Sequence, residues 1–169
     1  MAVQTKNQTI DVGIATLEFS RGATIKLLES IPPDARVLCP VKGANHATWI
    51  AGHIALTDNY FFKTVGGQPG ALPESWESLF GMGSKCVSSS DAYPAWDEII
   101  AAMHERRAAL IDWFGAMSAD ELAKPLADDL LEFAPNRAAL MPAIAWHEGF
   151  HAGQLTAVRR SLGMESMFG

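Results

Sequence analysis

Apolar residues return at three- and four-residue intervals along four stretches of this chain, and strict alternation is nowhere sustained for a useful length. From about Thr9 to Ser30, Ile10, Ile14, Leu17, Ile25 and Leu28 make one face, and Pro32-Pro33 ends the run. Arg21 falls in the same stripe, so it either snorkels outward or enters a polar core. A second run opens at Asn45, a good N-cap, and carries His46, Trp49, Ile50, His53, Thr57, Tyr60 and Phe61 until Gly66-Gly67 closes it. A third spans about Asp91 to Met117, with Trp96, Ile99, Ile100, Met103, Leu110, Phe114 and Met117 facing inward. The fourth starts after Asn136 and extends to about Ser161 before Gly163, with the stripe Leu140, Ile144, His147, His151, Leu155 and Val158. Pro142 either kinks this helix or marks its true beginning.

The connections add detail. Residues 66–90 are rich in Gly, Pro and Ser and hold PESWESLFGMGSK, which reads as an ordered loop with one helical turn; a link this long often forms a lid or pocket wall. Ser118-Ala-Asp-Glu121 matches a capping box for a short helix stopped by Pro125. The pattern predicts an all-α fold, a four-helix bundle, in a single domain over residues 1–169.

Composition narrows the function. Apolar residues make up 49% of the chain and charged ones 19%, which suits a globular core. The net charge of −6 comes without a basic patch, which argues against nucleic-acid binding. No stretch approaches the roughly twenty apolar residues that cross a bilayer, so no membrane role is expected. The start, MAVQTKNQTID, lacks the apolar segment of a signal peptide, and Cys39 and Cys86 are too few for a disulfide framework. A reduced, cytoplasmic setting follows.

The histidines carry the candidate chemistry. His147 and His151 lie four residues apart on an apolar stripe, so both imidazoles point at one object. His53 lies on the apolar face of its own helix. Burying unpaired imidazoles is costly, and a divalent cation would satisfy all three at once. His46 is open to reading as a fourth ligand, but a group behind the ligands or a first-turn residue near the surface is favoured, and His104, beside Glu105-Arg106-Arg107, reads as solvent-facing. His147-Glu148-Gly-Phe-His151 also matches HExxH formally, but the eighteen residues after His151 hold no histidine and no substrate-aligning strand is visible. Glu148 is the candidate general base or partner of a ligand, with a solvated helix residue as the bland alternative. Gln154 either orients a ligand or substrate or bonds across helices, with the structural role favoured. Trp49, Tyr60 and Trp146 are expected to wall the site.

NHATWIAGHIA, a Gly-Pro loop, and HEGFHAGQL in the last helix together resemble the DinB/YfiT-like superfamily of metal-dependent helical bundles, over nearly the whole chain. The resemblance implies an up-up-down-down bundle and a divalent metal, commonly nickel or zinc, held by His53, His147 and His151. Gly52, Gly153 and Gln154 complete the matching motifs. It implies a homodimer as well, and an enzyme acting on a small-molecule substrate, with transfer chemistry using a low-molecular-weight thiol favoured. A hydrolase, or a non-catalytic metal-binding bundle connected with stress, is the alternative.

Overall fold

The computed structural model describes residues 7–168; most of the N-terminal stretch on which the signal-peptide reading rests lies outside them. The described residues form six helices and no strand beyond one isolated bridge between Pro125 and Asn136. Four are long: α1 (Gln8–Glu29), α2 (Ala47–Thr64), α4 (Trp96–Gly115) and α6 (Arg137–Ser161). Two are short: α3 (Ser75–Phe80) and α5 (Ala119–Ala123). The bundle expected from periodicity is present.

Helix ends follow local chemistry. Asn7 and Asn136 cap α1 and α6 by accepting from Thr9 and Ala139 N–H, and Ser118 with Glu121 makes the expected capping box of α5. Two boundaries differ from expectation. His46, not Asn45, caps α2, its Nδ1 accepting from the Trp49 N–H at 3.1 Å. The α4 helix starts at Trp96 and not near Asp91, because Pro94 holds Tyr93 extended and separates a 3-10 turn at Ser90–Ala92 from the helix. Pro142 lies inside α6, which starts five residues earlier at Arg137.

Helix directions differ from the up-up-down-down order. Along the α1/α6 pair, Gly13 meets Met141, Arg21 meets Glu148 and Ser30 meets Arg159, so these helices run parallel. In α2/α4, Asp58 meets Arg107 and Gly66 meets Trp113, again parallel. Across the pairs the sense reverses: Leu17 meets Arg107 and Arg21 meets Met103, while Asn45 meets Gln154 and Val65 meets Arg137. The order is therefore up, down, down, up. Residues 30–46 start α2 beside the end of α1, residues 65–95 carry the chain back along α2 to its starting end, and residues 116–136 start α6 beside the end of α4.

One buried polar group joins all four long helices. Arg21, Asp58, Arg107 and Glu148 come from α1, α2, α4 and α6 in turn, with side chains no more than 7% exposed. Arg107 takes Asp58 in a bidentate pair at 2.9 and 3.0 Å and reaches Glu148 at 2.7 Å. Arg21 bridges Asp58 at 2.9 Å and Glu148 at 2.7 Å. The spare guanidinium nitrogens donate to the Met103 and Leu17 carbonyls. On every long helix this residue separates two apolar clusters. Leu27, Leu28, Ile54, Met103 and Leu155 lie on one side; Leu17, Phe61, Leu110, Phe114 and Ile144 lie on the other.

The link between α2 and α4 is more than a loop with one turn. It builds α3, whose Trp76 and Phe80 are buried against the outer side of α2, and Asn59 accepts from the Ala71 N–H at 3.0 Å. As a result α2 is enclosed on most sides and not along a single stripe. Tyr60, expected inward, is 42% exposed. Gly52 makes the α2–α3 approach possible: a Cβ there would sit 2.3 Å from the Phe80 ring.

Gly52→Ala is expected to cost about 1–3 kcal/mol in urea unfolding, because the ring has packed neighbours on its other faces. Arg107→Leu should cost about 3–5 kcal/mol, since it leaves two buried carboxylates sharing the single guanidinium of Arg21. A midpoint unchanged by either substitution would contradict the packing described.

Candidate metal centre

The centre forms where α2 and α6 cross antiparallel near the crossover link. His53 comes from the middle of α2, and His147 and His151 from successive turns of α6. Their candidate ligand atoms all lie within 4.8 Å of one another. His147 Nε2 is 3.3 Å from His53 Nε2 and 3.2 Å from His151 Nε2. Tetrahedral bonds of about 2.05 Å to imidazole require ligand separations of roughly 3.3 Å. The two separations from His147 Nε2 match that value for a small divalent cation.

Proton positions strengthen the fit. His53 Nδ1 faces the Phe80 carbonyl at 2.8 Å, an acceptor only, so the ring proton is on Nδ1 and the Nε2 lone pair is free. His151 Nδ1 faces Gln154 Oε1 at 3.1 Å and is assigned in the same way. Three Nε2 atoms then converge, and one proton on His147 Nε2 can serve only one of the other two. A cation satisfies all three, and Nδ1–H groups bonded to oxygen are the usual support for imidazole ligands.

Burial keeps these rings neutral. His147 and His151 are both pushed down to about 4, chiefly by burial, with their histidine neighbours adding to the shift. Burial also lowers His53, against the opposing pull of the Phe80 carbonyl and the Glu77 charge. Trp49 stacks on His53 with centroids 4.6 Å apart and 11° between planes, its indole N–H donating to Ser84 Oγ at 2.8 Å. Phe133 and Phe150 sit edge-on to His147 and His151 at 6.4 and 5.4 Å. Trp49 is thus a wall as expected. Trp146 is not: it is 68% exposed and stacks on Phe150 instead.

The other candidates fall elsewhere. His46 is fully buried, not near the surface; its second nitrogen faces the Val87 carbonyl at 3.1 Å, so both nitrogens are committed to the backbone. His104 is exposed as expected. Glu148 turns away from the imidazoles into the ion-pair quartet, where its oxygens bond to Arg21, Arg107 and Ser20. Asp58 and Arg107 were not singled out from sequence; their fall on buried helical positions was the available signal. Phe80, whose carbonyl orients His53, had none, since a backbone acceptor leaves no trace in residue type.

The fold and site together define a helical bundle with a three-histidine candidate centre between two antiparallel helices. The family model described as the DinB superfamily matches residues 16–155, and the chain belongs to that superfamily. No curated protein matches it significantly. No helix among the described residues is long and apolar enough to cross a membrane.

The lowered histidines make a pH prediction for metal-free protein. His147 and His151 take up protons near pH 6.5 in the unfolded chain but only near 4 when folded. Between these values the unfolded chain binds more protons, so stability falls as pH drops from about 6.5 to about 4. Thermal melts across that window should show the loss, and a His147→Ala/His151→Ala double variant should flatten it. An equal slope in the double variant would assign the effect to other groups.

Proposed function

We propose that the protein is a single-domain, metal-dependent enzyme of cytoplasmic small-molecule metabolism, with a divalent cation held by His53, His147 and His151. The observation that carries this reading is the convergence of three neutral Nε2 atoms, two with their Nδ1–H groups already bonded to oxygen. Nickel and zinc are the metals that the family resemblance favours. Three protein ligands leave positions open, and a cation there lowers the pKa of a coordinated water or thiol.

The residues around the site favour thiol chemistry over hydrolysis. A hydrolase of the HExxH kind needs the glutamate free to take a proton from water. Glu148 instead has both oxygens bound to guanidinium groups inside the bundle. A low-molecular-weight thiol needs no such base, because it can arrive already ionised or lose its proton to solvent. The walls formed by Trp49, Phe133 and Phe150 are apolar or aromatic and suit an organic substrate held beside it.

Metal content tests the site. His53→Ala, His147→Ala and His151→Ala should each reduce bound metal to well below one per chain by elemental analysis, and full occupancy in all three would sink the reading. Adding glutathione, bacillithiol or mycothiol to cobalt- or nickel-substituted protein should produce a sulfur-to-metal charge-transfer band. Its absence, with metal-dependent hydrolysis of an ester or amide panel, would overturn thiol transfer; metal without any turnover would favour a binding role. A homodimer belongs to the same reading. Phe19, Trp146 and Phe150 are 80%, 68% and 56% exposed on the neighbouring helices α1 and α6, and light scattering at micromolar concentration should give twice the chain mass.

A further inference from the structure

Behind His151, on the side away from the other two imidazoles, runs a chain of hydrogen bonds that crosses three elements. Cys86 Sγ, in the α2–α4 link, donates to Asn45 Oδ1 at 3.5 Å. Asn45 Nδ2 donates to Gln154 Oε1 at 3.2 Å. The same oxygen accepts from His151 Nδ1–H at 3.1 Å. Asn45 is available because His46 has taken over the capping of α2.

The sense of this chain decides whether His151 can ligate. With Gln154 Oε1 toward the ring, the proton sits on Nδ1 and the Nε2 lone pair faces the cluster. With the amide reversed, Gln154 would donate to Nδ1, the proton would move to Nε2, and the ring could not bind a cation. Gln154 alone has no preference, since its two ends differ little in shape. Asn45 supplies one: its Nδ2 can only donate, which calls for an oxygen opposite. Cys86 in turn supplies the donor that holds Asn45 Oδ1 outward. His53 is fixed more simply, by a backbone carbonyl that cannot reverse.

We propose that Asn45 and Gln154 are positioning residues that set the His151 tautomer, and thereby the affinity of the three-histidine centre for its cation. The proposal rests on the metal reading given above. Its consequences separate from that reading because the tautomer is a property of the metal-free protein. Nitrogen-15 NMR of metal-free wild type should show His151 protonated at Nδ1. In Gln154→Leu the Nδ1–H signal should weaken in favour of Nε2–H, and zinc or cobalt affinity should fall about 10–100-fold, the usual effect of losing such a partner. Gln154→Glu keeps an oxygen opposite both donors, so it should restore the tautomer and the affinity. Asn45→Leu should give an intermediate loss.

Thermal melts of each variant control for folding. A purely structural Gln154 would lower the melting temperature in both Gln154→Leu and Gln154→Glu and leave tautomer and affinity unchanged, which overturns the proposal. His151→Ala distinguishes the two levels of failure. Metal retained in His151→Ala, as in His53→Ala and His147→Ala, sinks the metal reading itself. Metal lost there but bound normally by Gln154→Leu, with an unchanged His151 tautomer, sinks only the positioning role.

Discussion

Everything in this bundle is arranged around two arginines and two carboxylates buried at its centre. Taking four charges out of water is expensive, and the group persists only because every charge meets an opposite one with good geometry and the spare donors reach carbonyls. One member comes from each long helix, so the set closes only when all four are in register. A one-residue slide of any helix turns its charged side chain about 100° away and strands its partners. The apolar clusters on either side tolerate approximate packing. The quartet does not, and it fixes the levels at which α2 and α6 present their histidines.

The quartet also matters electrostatically. His147 adjoins Glu148 in sequence, and an unbalanced carboxylate there would favour a charged imidazole. Instead Asp58 raises and Arg107 lowers the proton affinity of His147, and burial dominates both. A net-neutral ion cluster thus allows titratable rings next to it to remain neutral. That is the form in which imidazole can act as a ligand. The crossover link contributes from the opposite side: Phe80, Ser84, Cys86 and Val87 hold His53, Trp49, Asn45 and His46 respectively. The long link that returns the chain to the starting end of α2 thereby also forms the back wall of the candidate centre.

Much of this was legible in the sequence. Four periodic runs gave four long helices, since amphipathic spacing is a direct consequence of burying one face. His53, His147 and His151 were legible because a costly polar residue on an apolar stripe demands a partner. Helix direction was not, because periodicity says which face is buried and nothing about which neighbour buries it. The up-up-down-down order came from resemblance and gave way to the contacts, which set α1 parallel to α6 and α2 parallel to α4. The role of His46 stayed open because a capping histidine and a surface histidine look alike in sequence; the Val87 carbonyl, forty-one residues away, distinguishes them. The quartet was half-visible: Arg21 stood out in its stripe, while Asp58 and Arg107 lay among residues that also suit a solvated face.

The HExxH spelling shows most clearly why spacing alone does not define chemistry. In a helix the four-residue interval aligns His147 with His151, while Glu148 points about 100° away from His147. In a zinc protease that direction faces the substrate. Here it faces the bundle axis, because α6 lies parallel to α1 and brings Glu148 onto Arg21. The histidines face α2 and the glutamate faces α1 and α4, so one short motif serves two separate polar clusters. What the motif does is set by the helices packed on each side of it, and those are fixed by the ion pairs that Glu148 itself helps to complete.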